Sequence, residues 1–365
     1  MAAVRPRPGI ASIRAHMLGA PLAAPRPAID IASNESAFGA SPRACEAAAR
    51  VSRSLERYPD DAPGQLASAI ARTFSLDAGR ITCGHGSDDL LARLARAFLQ
   101  PGDELIHSVN GYQKIPNYAF ANDAVPVAAA DRGLRADVEA LLAAVTPRTR
   151  IVMIANPDNP TGSLLTAGEV RRLHAGLPGH VLLVLDSAYA EYVDTPDYEL
   201  PDRLVEESDN IVMTRTFSKI YGLAGARVGW MYGPADVVDT VRRIALTFPL
   251  GGVAAAAALA ALEDEAHTRH VLAETRWLRS WFGDRLAGLG LEVYPSETNF
   301  VLVRFPDPAR PAAAADRHLL SQGIRSRRFA SPAFSECIRF TIGREAEMRA
   351  AADALEAFLT LRGAA

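Results

Sequence analysis

Val181-Leu182-Leu183-Val184-Leu185-Asp186 is apolar at every position until it ends on a carboxylate. A strand with one wet face alternates apolar and polar residues. An unbroken apolar run is what a strand needs when both faces are covered, as in a parallel sheet with crossover helices on either side. Neighbouring stretches have the same character. Arg80 to Cys83, Glu104 to His107, Ile151 to Ala155, Ile211 to Thr214 and Val228 to Tyr232 are predicted strands, while Asp88 to Phe98 and Ala167 to Ala175 carry helical spacing. Strands alternating with helices predict an α/β unit whose mostly parallel central sheet is flanked by helices.

Several of these strands run straight into polar residues: Gly84 to Asp88, Asn156 to Gly162, Asp186, and Thr216 to Lys219. Open α/β sheets bind ligands just beyond the carboxyl ends of their strands, so four strand ends are expected to converge on one crevice. After about Gly251 the pattern changes. A long helical stretch, in which Trp277 and Trp281 are expected to share one buried stripe, leads to short strands at Leu291 to Tyr294, Asn299 to Phe305 and Ile338 to Ile342. The expected division is an N-terminal arm that also completes part of a small domain (1–50), a large domain (51–250) and a small C-terminal α+β domain (251–365). Pro306 to Ala315 reads as a loop.

Composition narrows the function. The chain has 365 residues, 49% of them hydrophobic and 22% charged, with a net charge of −3 that gives no electrostatic reason to expect nucleic acid or an anionic membrane as partner. Cys45, Cys83 and Cys337 lie far apart, without the paired spacing of a zinc site, and fit a reducing cytosol. The arm before Pro27 has no continuous apolar core, and the run Val253 to Leu262 is too short and too alanine-rich to span a bilayer. His267 and His270 have helical spacing but no further ligand type beside them, and read as surface helix residues.

Of 39 Lys plus Arg, only Lys114 and Lys219 are lysine. Arg keeps its proton at any ordinary pH, whereas a Lys amine can be deprotonated by its surroundings and attack a carbonyl. Lys219 sits in a loop rich in hydroxyls and glycine, Thr216-Phe217-Ser218-Lys219-Ile220-Tyr221-Gly222-Leu223-Ala224-Gly225-Ala226-Arg227-Val228-Gly229. An amine beside small donors and a fixed cation suits a cofactor that carries an aldehyde and a phosphate. Lys114 has no such loop around it and is expected to be replaceable by Arg.

Other candidates support this reading, each with a plainer alternative. Gly84-His85-Gly86-Ser87-Asp88 ends a strand and opens a helix, a seat for phosphate with Ser87 as candidate cap, or an ordinary turn. Asp186 would be partly desolvated and want a cationic partner such as a pyridinium nitrogen, or else be a loop Asp. Tyr189 can hydrogen-bond a ring oxygen, or else be a half-buried aromatic, and Tyr112 can stack on a flat ring or equally be a core tyrosine. Asn156-Pro157-Asp158-Asn159-Pro160-Thr161-Gly162 is more specific, because two prolines and a glycine stiffen the turn that presents Asn159.

These stretches, with Asn34-Glu35, Arg57-Tyr58-Pro59-Asp60 and Arg339-Phe340-Thr341-Ile342-Gly343, resemble the fold-type I, pyridoxal-phosphate-dependent aminotransferases of class I and II, and within them the histidinol-phosphate aminotransferases. The resemblance runs over nearly the whole chain in the family's order. It implies that Lys219 condenses with the aldehyde of pyridoxal 5'-phosphate and later shuttles the α-proton. Asp186 would face the pyridine nitrogen, Tyr189 and Asn159 the ring oxygen, and Tyr112 the ring. Gly86, Ser87, Thr216, Ser218 and Arg227 would hold the phosphate. Tyr58 would reach the cofactor of a partner subunit, which implies a homodimer. Arg339 and Arg327 would grip the substrate's carboxylate or phosphate.

Three stretches depart from the family. His16-Met17-Leu18-Gly19-Ala20-Pro21 replaces the usual lid, and Asn34-Glu35-Ser36-Ala37 and Asp186-Ser187-Ala188-Tyr189 replace its commoner forms. The expected reaction is ping-pong transfer of an amino group from histidinol phosphate or an aromatic amino acid to 2-oxoglutarate. A decarboxylase of the threonine-phosphate type shares fold and cofactor and is the alternative. A non-catalytic sensor would need a DNA-binding domain, which the short Pro/Arg-rich arm cannot supply.

Overall fold

The computed structural model describes residues 4–13, 28–59 and 64–360. Seven strands form the central sheet: β1 (Ile81–Gly84), β2 (Glu104–Ser108), β3 (Val125–Ala129), β4 (Thr149–Ala155), β5 (Leu182–Asp186), β6 (Ile211–Thr216) and β7 (Gly229–Tyr232). Their order across the sheet is β1-β7-β6-β5-β4-β2-β3. All neighbours are parallel except β7, which runs antiparallel to both β1 and β6.

The unbroken apolar run divides by alternation. Leu183 and Leu185 enter one apolar cluster with Ile106, Val152, Ile154 and Met213, while Leu182 and Val184 enter another with Leu105, Ile151, Met153 and Val212. Each strand therefore feeds two cores, one on each face, as a period of two requires. At about 25 cal/mol per Å² of apolar surface, each fully covered Leu or Ile contributes roughly 2 kcal/mol toward ordering the sheet.

Edge strand β3 is not legible from pattern. Val125-Pro126-Val127-Ala128-Ala129 is half exposed and carries a proline, which an edge strand tolerates because one row of its N–H groups has no partner.

A second sheet of three antiparallel strands, β8 (Glu292–Val293), β9 (Phe300–Arg304) and β10 (Cys337–Thr341), packs under the helices Glu265–Gly288, Ala312–Ser321 and Glu345–Thr360. The arm joins this unit: Ile29–Asp30 pairs in parallel with Ile324–Arg325, and Ile31 enters its core. The helix Gly252–Glu263 packs with the large unit through Ala257, Ala258, Ala261 and Leu262. The handover between cores comes inside Glu265–Gly288, whose Val271 lies in the large cluster and whose Leu278, Phe282 and Leu286 lie in the small one.

Two local expectations are corrected. Trp277 and Trp281 do not share a buried stripe: Trp277 is 46% exposed, because the inward face is Val271, Thr275, Leu278, Phe282 and Leu286. The Pro306 to Ala315 loop is shorter than expected. Pro311 caps a helix that begins at Ala312, and Ala312 and Ala315 are buried on it.

Candidate active site

The reversed strand β7 shapes the phosphate-sized cradle at the sheet's carboxyl edge. Gly229 pairs with both Gly84 and Thr216, so the loop that leaves β6 at Thr216 returns to the same edge. A side chain at Gly229 would stand 2.3 Å from the Ser87 nitrogen, so the backbones approach this closely only with glycine. Gly86 has φ +80° and is itself the helix cap; its Cβ position lies 2.7 Å from Arg227 Nη2. Ser87 is thus the first helical residue and not the cap. Glycine as the cap offers no side chain to the first-turn N–H groups, which is the arrangement an anion needs.

Arg227 Nη1 donates to Ser218 Oγ at 3.3 Å and to the Ala224 carbonyl at 3.0 Å. The Ser218 N–H donates to Thr216 Oγ1 at 3.0 Å. Gly86, Ser87, Thr216, Ser218 and Arg227 therefore lie in one cluster. In it the Gly86 N–H is spent on the Gly84 carbonyl at 2.8 Å and Thr216 Oγ1 reaches the Val228 carbonyl at 3.4 Å, leaving Ser87, Ser218 and Arg227 as the donors best matched to a phosphate dianion.

Asp186 ends β5 between Ala155 and Thr214 on the flanking strands, and Thr214 Oγ1 donates to its Oδ1 at 3.1 Å. Burial pushes its carboxyl up to about 7; the Thr214 hydrogen bond opposes this, and the charge of Asp88 adds to it. A carboxylate so placed lacks a full countercharge, and a ring cation would supply one.

Lys219 Nζ lies 3.3 Å from the Asn34 carbonyl and 5.6 Å from the centre of the Tyr189 ring. Tyr189 is buried edge-on to Phe300 and accepts a hydrogen bond from Asn34 Nδ2 at 2.9 Å. Asn159 accepts from Arg339 Nη1, which ties the stiffened turn to the small sheet. Arg339 Nη2 donates to the Ala32 carbonyl at 2.8 Å, and its guanidinium lies 5.0 Å from the Phe300 ring centre and 5.3 Å from that of Phe329. Among the described residues, its buried Nε has no partner. Burial pushes this guanidinium down to about 10, with the nearby Tyr189 opposing the fall. Arg327 exchanges both backbone hydrogen bonds with Arg339 and stacks toward Phe329.

Sequence reasoning missed two members. Asn34 enters only as part of a matching stretch, yet it contacts both Lys219 and Tyr189. Asp88 enters only as the last residue of the Gly84 stretch, yet Tyr112, Tyr118 and Lys114 all donate to it, at 3.1, 2.7 and 3.0 Å. Burial pushes the Asp88 carboxyl up, but Lys114 and the two hydroxyls outweigh it and hold it below its usual range. Lys114 is therefore a structural partner of the cleft. No local spacing signals either role, since the partners are remote in sequence.

Tyr58 stands apart. It is 82% exposed and stacked on Phe248 at 4.5 Å, on a surface where Leu55 and Leu246 are exposed as well. His16 to Pro21 lies outside the described residues. Among the described residues, no helix is long and apolar enough to cross a membrane.

The family described as aminotransferase class I and II matches residues 26–355. Among curated proteins, the chain is 47% identical to a histidinol-phosphate aminotransferase of Rhodospirillum centenum, over 96% of this chain and 97% of that one. It is 44% identical to a protein of the same name from Nitrobacter winogradskyi, over 97% and 98%. Among solved structures it resembles the histidinol-phosphate aminotransferase of Sinorhizobium meliloti in complex with pyridoxal-5'-phosphate. That likeness has a TM-score of 0.90 and 32% identity, and covers 98% of both chains.

Proposed function

We propose that this chain, which belongs to the class I and II aminotransferase family, moves an amino group between histidinol phosphate and 2-oxoglutarate by a ping-pong mechanism. The observation that carries this reading is the meeting, in one cleft, of the Lys219 amine, the buried Asp186, an all-donor cradle and a buried arginine with an unspent N–H. The donor's identity is supported by relatives of that name at 44–47% identity over nearly the full chain.

The cofactor is pyridoxal 5'-phosphate, and the residues fit it. Bound, it supplies an aldehyde for the amino group and a ring that takes up the electron pair left when the α-proton departs. The Ser87 N–H, the Thr216 and Ser218 hydroxyls and Arg227 would hold its phosphate, while the Gly86 N–H, donated to the Gly84 carbonyl, shapes the turn beneath it. Asp186 would meet the ring nitrogen and stay ionised there, its cost of burial offset by the opposite charge. Tyr189 and Asn159 would face the ring oxygen, and Tyr112, steadied by Asp88, the ring face.

Lys219 does the proton work. Its amine must be positioned to take a proton from carbon, and the carbonyl of Asn34, at 3.3 Å, is the neutral group that holds it in place. Arg339 and Arg327 bind the donor's phosphate or the acceptor's carboxylate with the planar fork. The exposed surface around Tyr58 is read as the face of a homodimer, through which Tyr58 reaches the partner's phosphate. A cytoplasmic enzyme goes with this reading.

The test is a donor screen against 2-oxoglutarate: histidinol phosphate, phenylalanine and tyrosine, each with double-reciprocal plots. Parallel lines and a preference for histidinol phosphate are expected. A preference for the aromatic donors would reassign the substrate, and carbon dioxide release without an oxo acid would reassign the reaction.

A further inference from the structure

Asn34 is 2% exposed and holds φ +55°, and both its backbone and its amide are hydrogen-bonded to residues of the cleft. Its N–H donates to Thr341 Oγ1 at 2.9 Å, and Thr341 Oγ1 returns its single proton to Asn34 Oδ1 at 3.1 Å. In this orientation each atom of the amide has its own partner: Oδ1 accepts from Thr341, and Nδ2 donates to Tyr189 at 2.9 Å. An amide nitrogen only donates, so the Tyr189 oxygen is an acceptor here and its own proton is turned away from Asn34. Among the described residues, the Tyr189 hydroxyl receives this one hydrogen bond. The carbonyl of Asn34 meanwhile accepts from Lys219 Nζ at 3.3 Å and from Asn299 Nδ2 at 3.2 Å.

We propose that Asn34 is a positioning residue for the reaction: its amide directs the Tyr189 proton into the cleft, and its carbonyl seats the Lys219 amine. Thr341 ends β10 and Asn299 precedes β9, so the small unit sets the orientation of two groups that belong to the large one. Asparagine suits the position twice. It is among the side chains that best tolerate a left-handed backbone, and its amide carries a donor and an acceptor at once. Serine or aspartate would each lose one of these properties.

This inference rests on the reading that Tyr189 faces the cofactor's ring oxygen. Its test is the pH midpoint of the visible absorption band of the holoenzyme, in the unchanged chain, Asn34→Asp, Tyr189→Phe and the double variant. A donor on the ring oxygen stabilises the deprotonated chromophore, so Tyr189→Phe should raise the midpoint by about one pH unit. Asn34→Asp adds a negative charge and also lets Tyr189 spend its proton on the new carboxylate. Its rise should therefore be about one unit larger on the unchanged background than on the Tyr189→Phe background. Equal rises on both backgrounds overturn the proposal, because Asn34 would then act by charge or shape alone. Asn34→Gly, which φ +55° accepts, should give a smaller rise that vanishes on the Tyr189→Phe background; a rise that persists there counts against the proposal equally. An unmoved midpoint in Tyr189→Phe alone would instead overturn the placement of Tyr189 on which the proposal stands.

Discussion

Arg227 and Arg339, both proposed to bind anions, reach the cleft by different routes. Arg227 shares one loop with Thr216, Ser218 and Lys219, and its partners Ser218 and Ala224 lie nine and three residues away. Arg339 is held by Asn159 and Ala32, which are 180 and 307 residues away. Most of the first site's side chains come from one stretch of chain, which the pairing of β7 with both β1 and β6 brings against Gly86 and Ser87. The second exists only when arm, large unit and small unit have all docked. A permanent ligand suits the local site. A ligand that must come and go suits the assembled one, because a slight shift of the small unit alters Arg339 and leaves Arg227 alone.

The sharpest way to break the comparison is to remove the chemistry between the two ends. Lys219→Arg is expected to cut amino transfer by ~10³-fold or more while cofactor affinity falls far less, since the cradle is untouched. Steady-state rates and equilibrium dialysis measure the two. A variant that keeps its rate removes Lys219 from the reaction.

A paired substitution comes next. Arg339→Lys should lower kcat/KM for the anionic donor by ~10–100-fold and leave cofactor affinity unchanged. Arg227→Lys should weaken cofactor binding by a similar ~10–100-fold, each change losing a planar charge-assisted contact. If both variants weaken the cofactor equally, the two ends are not independent and the contrast fails.

The buried carboxylates give a smaller effect with a definite sign. Asp186 stands near 7 in the folded chain against an ordinary 3.8, so the folded state binds the extra proton. Its contribution to stability is full below about pH 4 and is lost as pH rises through about 7. Cofactor-free protein should therefore gain Tm as pH falls from about 8 to about 5. Asp158, likewise pushed up to about 7 by burial against the Thr161 hydrogen bond, acts in the same direction. Asp186→Asn should flatten the slope by roughly half and not abolish it. An unchanged slope would mean that the Asp186 site is wetter than its burial indicates.

The least effect is expected at the second lysine. Its ion pair with Asp88 is half exposed, and an Arg can make the same pair, so Lys114→Arg should change stability by no more than ~0.5 kcal/mol and rate by less than about twofold. A large loss would move Asp88 and its partners from support into the chemistry.

The same division explains what was legible beforehand. The loop from Thr216 to Gly229, the stiffened Asn159 turn and the apolar run before Asp186 are each decided by neighbours in sequence, and each lies where its pattern predicts. Asn34 and Asp88 escaped because their importance comes from partners that only folding supplies. Trp277 was misjudged because two large aromatics at helical spacing suggest burial, whereas the inward face was taken by Leu278 and Phe282. Strand β3 escaped because an edge position removes the pressure for a continuous apolar run.

Strand β5 is walled by side chains above and below, and it delivers Asp186 at its tip. A cation seated against that tip would therefore govern the carboxyl's charge state more strongly than the pH of the surrounding solution does.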